Sequence, residues 1–253
     1  FRDGFKMAGD DILLDVIQDF ILPSFEKALQ TAGVRAPAAL MSRLCGEESV
    51  SIQDAILRQQ LNLQVFTPLG LALLKAYENY DPEVAQEVLT YRYEDLLAND
   101  SVKTPVWQYV NGAVRREVTG LGLFDILIVP IHFDLGQLHK SFLENRINLT
   151  KILAALCEVI FHYPCDVLLL TGRPSRLPGV QAFIRKMLPL PPGRIQPMHN
   201  YRTGGWYPFH KSGLINDPKS TASVGAMLFL MCTNRSIPNF YFLTAALKPS
   251  STI

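Results

Sequence analysis

Apolar positions in the first hundred residues recur every three to four places, which predicts a run of amphipathic helices. Asp10 and Asp11 precede Ile12-Leu-Leu-Asp-Val-Ile-Gln-Asp-Phe-Ile-Leu22, and carboxylates at a helix start complement its dipole. Pro23 is expected to end that helix, and a second runs to about Thr31, stopped by Ala32-Gly33. Four more helices are expected at Pro37–Leu44, Ile52–Asn62, Pro68–Tyr77 and Pro82–Leu97, each beginning near a Pro, Ser or Asp. No repeat of fixed period is present.

The pattern changes after Val102. Val106-Trp-Gln-Tyr-Val110 fits a short strand or a turn of helix, and Phe124–Phe133 reads as a strand that Pro130 places at an edge or bulge. Helices are expected from Asp134 and over Leu149–Tyr163. Val167 to Thr171 then reads as a buried strand, broken by Gly172, Pro174, Pro178 and Gly179 and followed by a helix over Val180–Leu188. Proline-rich residues 188–216 read as loop, and Asp217-Pro218 opens an apolar helix from about Ser220 to Leu230. A helical first half and a βα second half predict a two-lobe α/β protein.

Composition sharpens this only slightly. At 253 residues with 48% hydrophobic and 19% charged content, the chain can bury a substantial core. The net charge of +1 gives no field for nucleic acid, so no nucleic-acid partner is expected. The longest apolar runs, 124–131 and 224–232, fall short of a membrane span. Cys45, Cys157, Cys165 and Cys232 show no paired spacing and read as buried free thiols of a reducing compartment. With no signal peptide visible, a cytoplasmic location is expected. The opening Phe-Arg-Asp-Gly-Phe-Lys-Met-Ala-Gly-Asp-Asp reads like the middle of a domain, so the chain is expected to be a piece of a longer protein.

The strand, turn and helix at 168–188 are the strongest candidate for chemistry. Open α/β folds bind ligands at the carboxyl ends of strands, and a helix N-terminus favours an anion. An ordinary βα connection is the alternative. Arg173 and Arg176 suit a base or a phosphate, or a solvated surface. Gly9-Asp10-Asp11 allows close backbone approach to a metal-bound water or a ribose hydroxyl, or is a plain helix cap. Thr203-Gly204-Gly205 offers an anion nest or a turn. Trp206, Tyr207 and Phe209 are a hydrophobic anchor for that loop or an exposed partner-binding patch. His132, Asp134 and His139 lie close together but lack a further ligand, so structural roles are expected and no metal site. His162 and Cys165 flank Pro164, with Cys165 read as a packed thiol.

Leu168-Leu-Leu-Thr-Gly-Arg-Pro-Ser-Arg-Leu-Pro-Gly179 resembles the adenosine-binding turn of the actin, heat-shock chaperone and sugar kinase superfamily. Asp217-Pro-Lys-Ser-Thr-Ala-Ser-Val-Gly-Ala-Met227 is similar to that superfamily's closing helix, and Phe5-Lys-Met-Ala-Gly-Asp-Asp-Ile-Leu13 to the helix after its second phosphate loop. Together with Tyr201-Arg-Thr-Gly-Gly-Trp-Tyr-Pro-Phe209, the first two also resemble the C-terminal region of the bacterial SrfB virulence factor family.

The resemblance implies the second half of an actin-like, ribonuclease H-like ATPase domain. Residues 1–36 would start the core, 37–123 would form a helical lid-like subdomain, and 124–253 the βα core. It implies a bacterial protein in which Gly172, Arg173, Ser175 and Arg176 line the adenosine side of a cleft for ATP and Mg²⁺. Gly9, Asp10 and Asp11 would approach the phosphates. No catalytic residue follows from it, and the chain alone is expected not to hydrolyse ATP, because the phosphate loops would lie upstream of Phe1. Two departures bear on this: Arg173 stands where the superfamily has a second glycine, and Lys219 where its closing helix has an acid. They favour the alternative, a non-catalytic protein-interaction module on a decayed ATPase fold.

Overall fold

A computed structural model describes residues 9–46, 51–84, 88–98, 101–118, 124–163 and 165–240. The chain divides into two compact units, residues 1–163 with 177–188, and residues 164–176 with 189–253.

The first unit is mainly helical. Its elements are α1 (Gly9–Val16), α2 (Leu22–Thr31), α3 (Pro37–Cys45), α4 (Ile52–Leu61), α5 (Thr67–Tyr77), β1 (Leu89–Arg92), α6 (Tyr93–Leu96), α7 (Thr104–Glu117), β2 (Pro130–Phe133), α8 (Leu135–Leu143), α9 (Asn148–Phe161) and α10 (Pro178–Met187). Pro23 does not stop the first helix. A π-helical turn, Ile17–Ile21, carries α1 into α2, and a second one, Asn62–Phe66, carries α4 into α5 just ahead of Pro68. Proline lacks an N–H and clashes with the carbonyl four residues back; a widened turn immediately before it lets the chain stay helical.

Strand pairing overrides the local pattern at one place, a turn shortens an expected strand at a second, and an open alternative resolves to helix at a third. The expected helix at 82–97 is strand β1 followed by the single turn α6, with residues 85–87 outside the described ones. The run Leu89-Thr-Tyr-Arg92 pairs antiparallel with β2, Leu89 opposite Phe133 and Arg92 opposite Pro130. The expected ten-residue strand at 124–133 is shorter: a 3-10 turn, Ile126–Ile128, precedes β2. Pro130 stands first in the strand, where its missing N–H breaks no ladder, and its carbonyl accepts from Ser24 Oγ at 3.1 Å. Val106–Val110 lies within helix α7.

Phe25 anchors the core of this unit, fully buried and 5.6 Å from the Phe66 ring and 6.3 Å from Phe124. Asp125 clamps α7 by accepting from Trp107 Nε1 (2.9 Å) and Asn111 Nδ2 (3.3 Å). A second carboxylate works across helices. Asp15 on α1, almost fully buried, accepts from the backbone N–H of Asn148 (2.8 Å) and from its Nδ2 (2.6 Å). It thus supplies the cap that Ile147, at the N-cap position of α9, cannot. Asp15→Ala should cost about 2 kcal/mol, with Asp15→Asn losing less. Urea unfolding midpoints check this, and equal midpoints for Ala and wild type would refute it.

The second unit holds β3 (Leu168–Leu170) and β4 (Ile195–Pro197), a parallel pair with Leu168 opposite Ile195 and Leu170 opposite Pro197. It also holds a hairpin of β5 (His210–Lys211) and β6 (Leu214–Ile215), and helix α11 (Thr221–Thr233). Ser212 and Gly213 turn the hairpin with φ of 53° and 78°, the pair of positive angles that a two-residue type I′ turn requires. Tyr207, Ile215 and Val224 form the core of this unit, with Met198 and Leu228 packed on it. Strand β3 is not buried as expected: Leu169 is 55% exposed, and Leu168 and Leu170 are half-buried.

Of the cysteines, Cys157 and Cys232 are buried, and burial pushes the Cys157 thiol up to about 11. Cys165 is half-buried, and its thiol donates to the Val167 carbonyl rather than to His162. Cys45 corrects the sequence expectation, standing exposed at the last position of α3.

Candidate functional site

The chain leaves the carboxyl end of β3 into a tight corner. Gly172 takes φ +78°, a left-handed conformation that other residues rarely adopt. Its N–H donates to the Pro218 carbonyl at 3.3 Å. Residues Arg173–Arg176 form a 3-10 turn. The Ser175 amide and hydroxyl both donate to the Gly172 carbonyl, at 3.2 and 2.7 Å, and the Arg176 guanidinium donates to the Asn216 carbonyl at 2.5 Å.

The opposite side of this corner is the start of the closing helix. Asp217 accepts from the Lys219 amide at 3.0 Å, and the Thr221 hydroxyl donates to the Pro218 carbonyl at 2.8 Å. Two segments at least forty residues apart in sequence are therefore knitted together at the end of a parallel strand. Thr171, Arg173 and Lys219 are exposed there.

The side chains expected at a ligand divide in this geometry. Ser175 is buried, and its hydroxyl closes the turn instead of facing outward. Arg176 braces the turn against Asn216. Gly172 and Arg173 remain at the corner's surface. Gly9, Asp10 and Asp11 belong to the first unit, where Gly9 opens α1 and Asp10 is exposed. The preceding residues Phe5–Ala8 lie outside the described ones.

The three residues that tempt a metal assignment do separate work. His132 Nδ1 shares a 3.0 Å hydrogen bond with the Thr90 hydroxyl. Asp134 caps α8 by accepting from the Gln137 amide at 2.8 Å. His139 is buried and meets the Tyr77 hydroxyl at 2.8 Å. Among the described residues no three His, Cys, Asp or Glu side chains group as a metal site.

The aromatic loop divides as well. Tyr207 is the anchor: it is buried, and its hydroxyl lies 2.7 Å from Ser220 Oγ. Ser220 donates its proton to the Asp217 carbonyl at 2.6 Å, so Tyr207 is the donor to Ser220. Trp206 and Phe209 pack edge-on against Tyr207 and are 59% and 52% exposed. The sequence reading missed the hairpin at 210–215, although a Ser-Gly pair between two-residue apolar and polar runs is a short-range signal for it.

The first unit has a concavity of its own, a groove of about 380 Å³ along α2 and the 124–132 segment. Its hydroxyls are committed, Ser24 to the Pro130 carbonyl and Thr31 to that of Lys27, and Asp125 is taken up by α7. Lys27 and His132, the latter bonded to Thr90, stand beside an apolar wall.

With this geometry in hand, one family decides the identity: the pattern described as virulence factor SrfB matches residues 1–253. The chain belongs to the SrfB virulence factor family. Membership covers both compact units and places the chain among virulence-associated proteins. No curated protein and no solved structure matches this SrfB chain. Among its described residues, no helix is long and apolar enough to cross a membrane.

Proposed function

We propose that this SrfB chain supplies the nucleoside side of an ATP-binding cleft of the actin and heat-shock chaperone type. The observation that carries the reading is the junction of Gly172–Arg176 with Asn216–Thr221 at the carboxyl end of β3. Those are the two segments that resemble the superfamily's adenosine turn and closing helix, and in an open α/β arrangement that end of a strand is where ligands bind. Gly172 backbone and Arg173 would face the nucleoside. Arg173 and Lys219 depart from the superfamily pattern, but both are exposed and add positive charge at the corner, which an anionic ligand can use. Mg²⁺ would be held chiefly by the nucleotide phosphates. Hydrolysis also requires donors around the transferring phosphate; the one acid at this corner, Asp217, is taken up by the Lys219 amide, so the chain should bind MgATP without turnover.

Calorimetric titration of the chain with MgATP tests this. Lys219→Glu and Arg173→Glu, both at exposed positions, should each weaken binding about tenfold, equivalent to 1.4 kcal/mol. Equal affinity in both variants, or turnover by the chain alone, would contradict the proposal.

A second reading, a protein-docking module, is favoured by the exposure of Trp206 and Phe209 on either side of a rigidly anchored Tyr207. Exposed Trp and nearby Arg are the residue types on which protein interfaces concentrate their energy. This reading predicts that Trp206→Ala abolishes partner capture and leaves the affinity for MgATP unchanged.

A further inference from the structure

The near-neutral net charge conceals a strong segregation. Residues 167–253 contain ten Lys and Arg and a single acid, Asp217, leaving 14 basic and 22 acidic residues in the first 166. The last third thus carries +9 and the rest −8. The lone acid is occupied at the start of the closing helix, where it accepts from the Lys219 amide.

The hairpin of the second unit displays this positive charge in a defined geometry. Leu214 pairs with Lys211 on one side and with Arg202 on the other. The three residues therefore occupy one row of a small antiparallel ladder and project from the same face. The two cations are separated by two strand spacings, roughly 10 Å. Both are exposed, and the loop between them carries the exposed rings of Trp206 and Phe209. The I′ turn at Ser212-Gly213 and the tie from Tyr207 to Ser220 hold this face in place.

We infer that this hairpin face docks a second copy of the same chain, receiving the acidic surface of that copy's first unit. The inference rests on the protein-docking reading of the 206–209 loop. The chain itself offers a complementary surface. Residues 78–100 hold seven acids and one cation. Within them the described turn at 81–84 presents Asp81 and Glu83 beside Val84, which is 56% exposed. A basic face with aromatic rings fits an acidic turn with an aliphatic tip. Single-stranded nucleic acid matches the charge and can stack on the two rings, but it has no counterpart for aliphatic groups such as Leu230 on α11, 60% exposed in the same unit. Because the two surfaces differ, the contact is head-to-tail and propagates into open chains unless its rotation closes a ring.

Sedimentation of the purified chain across a concentration series is the test. At about 50 mM salt the mean mass should rise with concentration, and at about 0.5 M it should fall to that of the monomer, because exposed charges are screened over a few ångströms at that ionic strength. Arg202→Glu/Lys211→Glu should be monomeric in both, with an unchanged circular dichroism melt. Glu83→Lys/Val84→Lys should also be monomeric alone, yet associate with the first variant when the two are mixed. A monomer at every concentration and salt overturns the inference but leaves the Trp206→Ala capture experiment to decide the docking reading. Association that survives both charge reversals overturns it too. So does binding of a dT20 oligonucleotide, lost in Arg202→Glu/Lys211→Glu, by a chain that does not self-associate.

Discussion

Gly179→Ala is expected to destabilise the first unit by about 3 kcal/mol. Gly179 lies in the first turn of α10, and a β-carbon there would stand 2.5 Å from Phe142 Cγ and 2.5 Å from the Tyr77 hydroxyl. Neither neighbour can yield. The Tyr77 and Phe142 rings stack 5.7 Å apart at 14°, both fully buried. Moving α10 outward instead would open the contacts that it makes with α8 and α9. For a chain of this size, about 3 kcal/mol lowers Tm by roughly 6–12 °C. A thermal melt followed by circular dichroism checks it, and a Tm within a degree of wild type would refute the packing described.

The second large effect is expected at the same point. The Tyr77 hydroxyl meets His139 Nδ1 at 2.8 Å and receives the Gly179 backbone N–H. Burial raises the Tyr77 phenol well above its ordinary value, so it stays protonated and donates to the imidazole. Tyr77→Phe keeps the ring and strands two polar groups. At about 1–3 kcal/mol for each stranded group, the loss should be about 3 kcal/mol.

The same contact makes stability depend on pH. Burial holds the His139 imidazole below its usual value, and a protonated Nδ1 can no longer accept from Tyr77. The unfolded chain therefore takes up this proton more readily than the folded one. Stability from this group is complete above about pH 6.5 and falls as the pH drops below it, by at most about 1.4 kcal/mol per unit. Urea midpoints at pH 7.5 and 5.5 should differ more for wild type than for His139→Gln. An equal pH dependence in the two proteins would contradict this assignment.

Gly179 also shows why some of the fold was legible and some was not. Read locally, it is one of four turn-formers closing a strand. In the structure Gly172 does that work at positive φ, whereas Gly179 is helical and there because nothing larger fits. Long amphipathic segments such as α5, α9 and α10 could be read from period alone, since one face of each packs on a core. β1 could not, because its short run becomes a strand only by pairing with β2, the part of the expected 124–133 strand that forms. Pro23 signalled a helix end and Pro68 a helix start, and the π turns that carry the chain through both leave no mark on hydrophobic spacing.

The candidate site was legible in outline. The turn at 172–176 and the helix start at 217–221 were singled out as separate motifs, and the fold joins them. The direction of individual side chains was not legible. Ser175 and Arg176 suit a ligand by residue type, but both serve the turn itself, which depends on where the Gly172 and Asn216 carbonyls point. Net charge misled in a similar way, because a sum over the chain hides how unevenly its acids are placed.

Hydrogen exchange measured with and without MgATP is the sharpest test of whether the Gly172–Arg176 corner binds a nucleotide. Slower exchange is expected, confined to residues 168–176 and 216–222, with the groove along α2 unchanged and the effect reduced in Lys219→Glu. Unchanged exchange at that corner at saturating MgATP, or protection along α2 in its place, would contradict it.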